Sequence, residues 1–255
     1  MSAAVPWLRR AQPLLGTLVE IGVHDPRGNR QGSVDAAFAA VRDTQTALSR
    51  FDARSDVSRF ARLRRGERMA VRQVTREVLV AAADLHAASA GTFDVTLGSA
   101  PAGWALVGAE LHKLRDETRI DLGGIGKGHA VDLAVQVLIA EGCASGWVNA
   151  GGDLRAFGDL DAPVHLRVEQ TGGVRPFALL RDGAFATSHF GLGSRSQLAA
   201  GAGEAATAEG AHASVAAPLC LWADALTKVV ALSGDIAQPA LLRLLARYDA
   251  RAWLH

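Results

Sequence analysis

The chain has 255 residues, 49% apolar and 21% charged, with a formal net charge of +1. That is enough chain to bury a substantial core, in one large domain or two small ones. So balanced a charge argues against a nucleic-acid or anionic-membrane surface, and no apolar run approaches the roughly 20 residues of a membrane-spanning helix.

The first fifteen residues carry Trp7, Arg9, Arg10 and Pro13 but no continuous apolar segment and no lipobox cysteine. A cytoplasmic protein is therefore expected. Residues 14–23 alternate apolar and polar and predict a strand, closed by a turn at residues 25–29. Val34, Ala37, Phe38, Val41 and Leu48 follow helical spacing and predict a helix over residues 33–49. Residues 49–63 read as irregular. A second helix is expected at 74–89, with Gly91 placed to stop it. Short strands are expected at 111–114 and 119–122, around a turn at Arg115-Asp116-Glu117. A third helix is predicted from about His129 to Glu141, ended by Gly142. Cys143 and Cys220 lack any metal or redox spacing and read as small buried hydrophobes. Residues 146–150 predict a strand running into Gly151-Gly152-Asp153, with several short strands following as far as Thr187. Residues 191–210, rich in Gly, Ala and Ser, read as a loop. Helices are predicted at 223–232 and 238–248. Strands and helices mix without a regular βαβ repeat, so the expected class is α+β.

The segment Asp121-Leu-Gly-Gly-Ile-Gly-Lys-Gly-His-Ala-Val-Asp132 carries the chemistry. Its glycines let backbone approach a ligand closely, and the helix that follows offers N–H groups and a positive dipole end, which suits a phosphate. Lys127 adds a point charge and is one of three lysines, beside 24 arginines. A P-loop is excluded, because Asp121 stands five residues before Gly126 and Gly128 follows the lysine. A Rossmann fingerprint is excluded by His129 at its third glycine position. A tight turn with glycines for packing alone is the competing explanation.

The same segment resembles the D-L-G-G-I-A-K-G-Y-A-x-D signature of the FAD:protein FMN transferase family, known as ApbE. Further segments match in order. Leu15-Gly16-Thr17 is similar to M-G-T, and residues 48–60 to S-x-Y-x-x-x-S-E-I-S-R-L. Gly91-Thr92-Phe93-Asp94 is similar to G-A-F-D, and residues 149–158 to N-x-G-G-D-I-R-A-x-G. Ala186-Thr187-Ser188 is similar to A-T-S-G, and Ala223-Asp224-Ala225-Leu226 to A-D-A-L.

The resemblance implies one T-fold-like domain over residues 1–255, with mixed, mostly antiparallel sheets packed with helices. It implies cleavage of FAD with Mg²⁺ and transfer of FMN to a Ser or Thr of an acceptor protein, or hydrolysis of FAD alone. Mg²⁺ takes hard oxygen ligands, and the metal would position the pyrophosphate and neutralise its charge. By position, Asp121 and Lys127 would contact FAD. Leu15, Gly16, Thr17, Phe51, Gly91, Thr92 and Phe93 would line its pockets. The Gly124 carbonyl, Asp224 and Thr227 would hold the metal.

The chain also departs from the family pattern. It has no match to H-I-x-D-P-x-T-G. The best alignment of that motif falls on residues 196–201, placing Gln197 and Ala200 where histidine and aspartate are expected and Leu198 against the ligand. Ala61 replaces an asparagine, and His189 follows Ala-Thr-Ser in place of glycine. Lys228 stands where the A-D-A-L helix has a threonine. Four residues after Asp224, its ammonium can pair with that carboxylate on one helix face and occupy the metal's space. This motivates an alternative reading, a family member that binds FAD without flavinylating a protein.

Overall fold

The computed structural model describes residues 7–25, 28–168, 171–190 and 211–255. The alternation that marks residues 14–23 is real, but it belongs to two strands. β1 (Leu8–Leu14) and β2 (Thr17–His24) form an antiparallel hairpin in which Leu14 pairs with Thr17. Leu15 and Gly16 form the loop, with φ of 56° and 71°. Two positive φ values make the type I′ turn whose twist suits a two-residue hairpin. β1 lies at the sheet edge, where its one-sided burial weakens the pattern and Pro13 is tolerated.

β2 pairs next with β6 (Ser145–Ala150), which continues into β7 (Asp153–Phe157). The sheet is completed by β10 (Gly183–Phe190), β11 (Ala211–Ala217) and β12 (Arg251–Leu254). Its order is β1-β2-β6-β7-β10-β11-β12, with every pairing antiparallel. Val19, Ile21 and Val23 of β2 point to one face and are fully covered there. They pack with Phe38 and Val41 of α1 (Gln31–Leu48) and with Val131 and Val135 of α4 (Gly126–Ala140).

A second core lies beside the first. It gathers Phe60 of α2 (Asp56–Ala61), Val78, Leu79 and Leu85 of α3 (Gln73–Ala88), and Leu241 and Leu244 of α6 (Pro239–Arg247). A small sheet, β3 (Arg68–Ala70), β5 (Glu110–Lys113) and β4 (Trp104–Val107), contributes Met69 and Leu111 to it. α5 (Cys220–Ser233) joins the two cores. Cys220 and Ala223 belong to the first, and Leu226, Val229 and Val230 to the second. A helix buried on opposite sides must be apolar nearly all round, which makes any charge it carries conspicuous. A ribbon of β8 (Ala162–Val168) and β9 (Gly173–Leu180) forms its own two-stranded sheet and packs Val164, Leu166 and Phe177 against Phe185 of β10 and Trp253 of β12.

The α+β expectation holds, as does the mostly antiparallel sheet. Three local expectations are corrected. Residues 119–122 are not a strand: they pair with no strand, and the Asp121 N–H donates to the Val95 carbonyl. Residues 49–63 contain α2, whose N-cap Ser55 accepts the Ser58 N–H at 2.9 Å. Gly91 closes α3, but the left-handed C′ position is taken by Ala90, with φ 51°. The Gly91 N–H reaches the His86 carbonyl and the Ala90 N–H the Ala87 carbonyl, the pair of bonds that defines a Schellman motif. Among the described residues, no helix is long and apolar enough to cross a membrane. The loop expected at 191–210 lies outside the described residues.

Candidate functional site

The β1–β2 turn, the residues after α3, the glycine segment before α4 and the β8–β9 ribbon surround a cleft of about 1100 Å³. That exceeds the usual range for a drug-sized ligand and suits something longer. Leu15, Gly16, Thr17, Phe51, Thr92, Phe93, Asp121, Gly124 and Lys127 all line it. Gly91 is not on the wall; its backbone terminates α3 and so aims Thr92 and Phe93 inward. Asp224 and Thr227 lie beneath the wall, fully buried on α5, while Lys228 beside them reaches it. Leu198 lies outside the described residues.

The aromatic residues divide. Phe93 is core, 6% exposed, in contact with the second cluster. Phe51 is 85% exposed at the cleft edge, with the Arg50 guanidinium 4.8 Å from its ring centroid. Arg50 also donates to Asp121 Oδ2 at 2.9 Å, and Asp121 Oδ1 accepts the Gly123 N–H at 2.7 Å. Asp121 therefore fixes the glycine turn and tethers Arg50 at the mouth. A hydrogen-bonded arginine under an exposed ring forms a planar platform suited to a flat heterocycle.

Below the turn lies a group of four charges: Asp153, Asp224 and Lys228 are buried, and Lys127 keeps 32% of its side chain exposed, on the cleft wall. Lys127 Nζ bonds Asp153 Oδ2 and lies 3.3 Å from both oxygens of Asp224. Lys228 Nζ bonds Asp224 Oδ1, the Asp224 carbonyl at 2.9 Å and Ser188 Oγ at 3.2 Å. Burial works against the Asp224 carboxylate, but Lys127 and Lys228 outweigh it and hold its pKa down at about 2. Burial would lower the Lys127 pKa, yet Asp153 and Asp224 raise it above the ordinary lysine value. Asp153 is pushed up by burial and by the charge of Asp224 beside it. Lys228 is pushed down, chiefly by burial, with the like charge of Lys127 adding to the effect. Two carboxylates and two ammoniums make a neutral set, as a low-dielectric site requires.

Backbone geometry builds this group. The N–H of Gly128 in the first turn of α4 donates to Asp224 Oδ2 at 3.0 Å. That contact needs α4 and α5 to cross closely: a Cβ on Gly128 would sit 2.2 Å from the Cys220 carbonyl oxygen. Asp132, the last residue of the glycine motif, accepts the N–H groups of Cys220 and Leu221 at 2.9 Å each and caps α5. It is also paired with Arg155 at 2.7 Å. Burial pushes the Asp132 pKa up, against the pull of Arg155 and the two N–H groups.

Sequence reasoning quoted Asp153, Ser188, Asp132 and Arg155 within motifs but gave them no role. Their only signal was polarity at positions the structure shows to be covered. On the far wall, His189 and His212 face each other across β10 and β11, stacked with ring centroids 4.6 Å apart.

The metal donors expected at this site can be tested against these contacts. Mg²⁺ asks for about six oxygens in octahedral array. Both Asp224 oxygens already accept from nitrogen donors, and Thr227 Oγ1 donates to the Asp224 carbonyl at 2.7 Å while bonding Ser188 Oγ at 2.8 Å. Among the described residues, no group of three or more His, Cys, Asp or Glu side chains is arranged to hold a metal ion. As they stand, these residues do not fit a divalent cation.

An antiparallel α+β fold with a long cleft over a glycine turn and a largely buried charge group is the class defined so far. The ApbE family model matches residues 15–113 and 102–252, and the chain belongs to that family. Several solved structures share the fold. An ApbE flavin transferase from Vibrio cholerae superposes with a TM-score of 0.79 at 17% identity, covering 98% of this chain and 93% of that one. The apo flavinyl transferase ApbE of Pseudomonas stutzeri gives 0.77 at 19% identity, covering 98% and 90%. An ApbE protein from Thermotoga maritima gives 0.81 at 20% identity, covering 98% and 94%. No curated protein matches the sequence.

Proposed function

We propose that the cleft binds FAD and that the protein is a flavin transferase acting on it, delivering FMN to a Ser or Thr hydroxyl of an acceptor protein. The observation that carries this is the convergence of Leu15–Thr17, Phe51, Thr92, Asp121 and Lys127 on one cleft. Phe51 over Arg50 offers a stacking surface for a ring system. The glycine turn and Lys127 lie where backbone and positive charge can approach the pyrophosphate. The tight helix crossing at Gly128 leaves the packing role of the glycines standing beside this binding role.

In this reading the chain's residues bind and orient. Asp121 holds the turn and Arg50; Lys127 and Lys228 supply fixed positive charge; the two carboxylates keep those ammoniums in place. Preorganised charge of this kind needs no rearrangement when the ligand arrives. The second reading, FAD binding without protein flavinylation, is favoured by one specific observation: Lys228 bonded to Asp224.

The test is direct. The protein is titrated with FAD, following flavin fluorescence, and the mixture is then assayed for AMP and FMN. AMP release with flavin on an added acceptor protein supports transfer. AMP and free FMN support hydrolysis, and tight FAD binding without AMP supports the second reading. Absence of FAD binding overturns both.

A further inference from the structure

We propose that the Lys228 ammonium is a built-in cation standing on Asp224 in place of a divalent metal ion, so that this cleft binds its dinucleotide independently of divalent metal. The inference rests on the reading of the cleft as an FAD site.

Lys228 Nζ is fully matched. An ammonium has three N–H donors, and three oxygens receive them: Asp224 Oδ1, the Asp224 carbonyl at 2.9 Å and Ser188 Oγ at 3.2 Å. These oxygens come from both α5 and β10, so the head group is fixed from two elements. The stem is fixed as well. A Cβ placed on Gly124 would lie 3.5 Å from Lys228 Cε, so the side chain passes directly under the glycine turn. The lysine is 6% exposed, and that remaining exposure is to the cleft.

Charge balance points the same way. Asp153 and Asp224 are already neutralised by Lys127 and Lys228. A dication on Asp224 would have to displace Lys228 or share the carboxylate with two ammoniums. Like charges crowded onto one carboxylate in a poorly solvated site repel strongly. Asp224 also lacks a vacant face: Oδ2 holds the Gly128 N–H at 3.0 Å, a bond set by the crossing of α4 and α5. Lysine is a compact point charge suited to neutralising phosphate. It provides charge to the pyrophosphate side of the cleft without opening coordination positions.

The test uses Mn²⁺ as a metal probe and FAD as a ligand probe, on the full chain. Free Mn²⁺ is followed by electron paramagnetic resonance as protein is added without flavin. The wild type is expected to leave the free Mn²⁺ signal unchanged, and FAD affinity is expected to be the same in Mg²⁺ and in EDTA. Lys228→Thr is expected to gain one Mn²⁺ site and a metal-dependent FAD affinity. The proposal is overturned if the wild type binds one Mn²⁺ that Asp224→Asn abolishes. It is equally overturned if EDTA weakens FAD binding by about tenfold or more. Should Lys228→Thr fail to fold, the wild-type Mn²⁺ titration still decides the matter. A protein that binds neither Mn²⁺ nor FAD refutes the FAD reading while leaving Lys228 on Asp224.

Discussion

Gly128→Ala separates a glycine kept for packing from one kept for a ligand. In a helix, the exchange by itself should stabilise by about 1 kcal/mol, since alanine loses less backbone freedom. Here the new Cβ would meet the Cys220 carbonyl oxygen at 2.2 Å, its carbon at 2.6 Å and the Leu221 nitrogen at 2.8 Å. All three are backbone atoms, so no side chain can rotate away; α4 and α5 must part. Overpacking costs about 1–3 kcal/mol. Separation also stretches the bonds from Gly128 to Asp224 and from Cys220 and Leu221 to Asp132. Each buried group left unsatisfied costs about 1–3 kcal/mol. The net expectation is a loss of about 3 kcal/mol, or roughly 6–12 °C in Tm for a chain of this size. Thermal unfolding followed by circular dichroism measures it without any ligand. Gly32→Ala is the control, because nothing lies within 4 Å of its Cβ position in α1, and it should leave Tm unchanged or slightly raised. A Gly128→Ala protein that melts at or above wild type refutes the crossing argument.

Phe51→Ala should leave urea stability within about 0.5 kcal/mol of wild type, because the ring is exposed. It should weaken FAD binding by about three- to tenfold, from a stacking contribution of roughly 0.5–1.5 kcal/mol, and unchanged affinity would remove Phe51 from the site. Burial lowers the His129 pKa below 6.5, more than Glu77 raises it. Its folded-state pKa is thus below its unfolded value, so the neutral imidazole's stability is present above pH 6.5 and lost as pH falls through the folded value. His129→Gln should flatten the decline in stability between neutral pH and pH 5. An equally steep decline in the variant would show that His129 does not drive it.

Much of the helical framework is legible in the chain. Helical spacing of apolar residues marks α1 and α3, each of which buries one stripe, and α4, α5 and α6 are also legible as helices. Motif order brought together the residues that line the cleft. Where sequence reading failed, the cause was physical. β1 is an edge strand with a weak pattern, and α2 is a six-residue helix fixed by its Ser55 cap. Composition likewise could not separate the roles of the glycines in the Asp121–Asp132 segment. Gly128 is required where α4 crosses α5, a distance no local pattern encodes.

The roles of the charged residues depend on packing between distant segments. Lys127 was expected at a phosphate, yet it is held between Asp153 and Asp224, which are 26 and 97 residues away in sequence. Asp132 read as part of a ligand motif, and it caps α5. The i,i+4 spacing of Asp224 and Lys228 was visible in the sequence. That it is buried, matched to Ser188 of β10 and pressed beneath Gly124 was not. Local sequence sets which atoms a helix face can offer. The dielectric around them and the partners that satisfy them are set by elements packed from far along the chain.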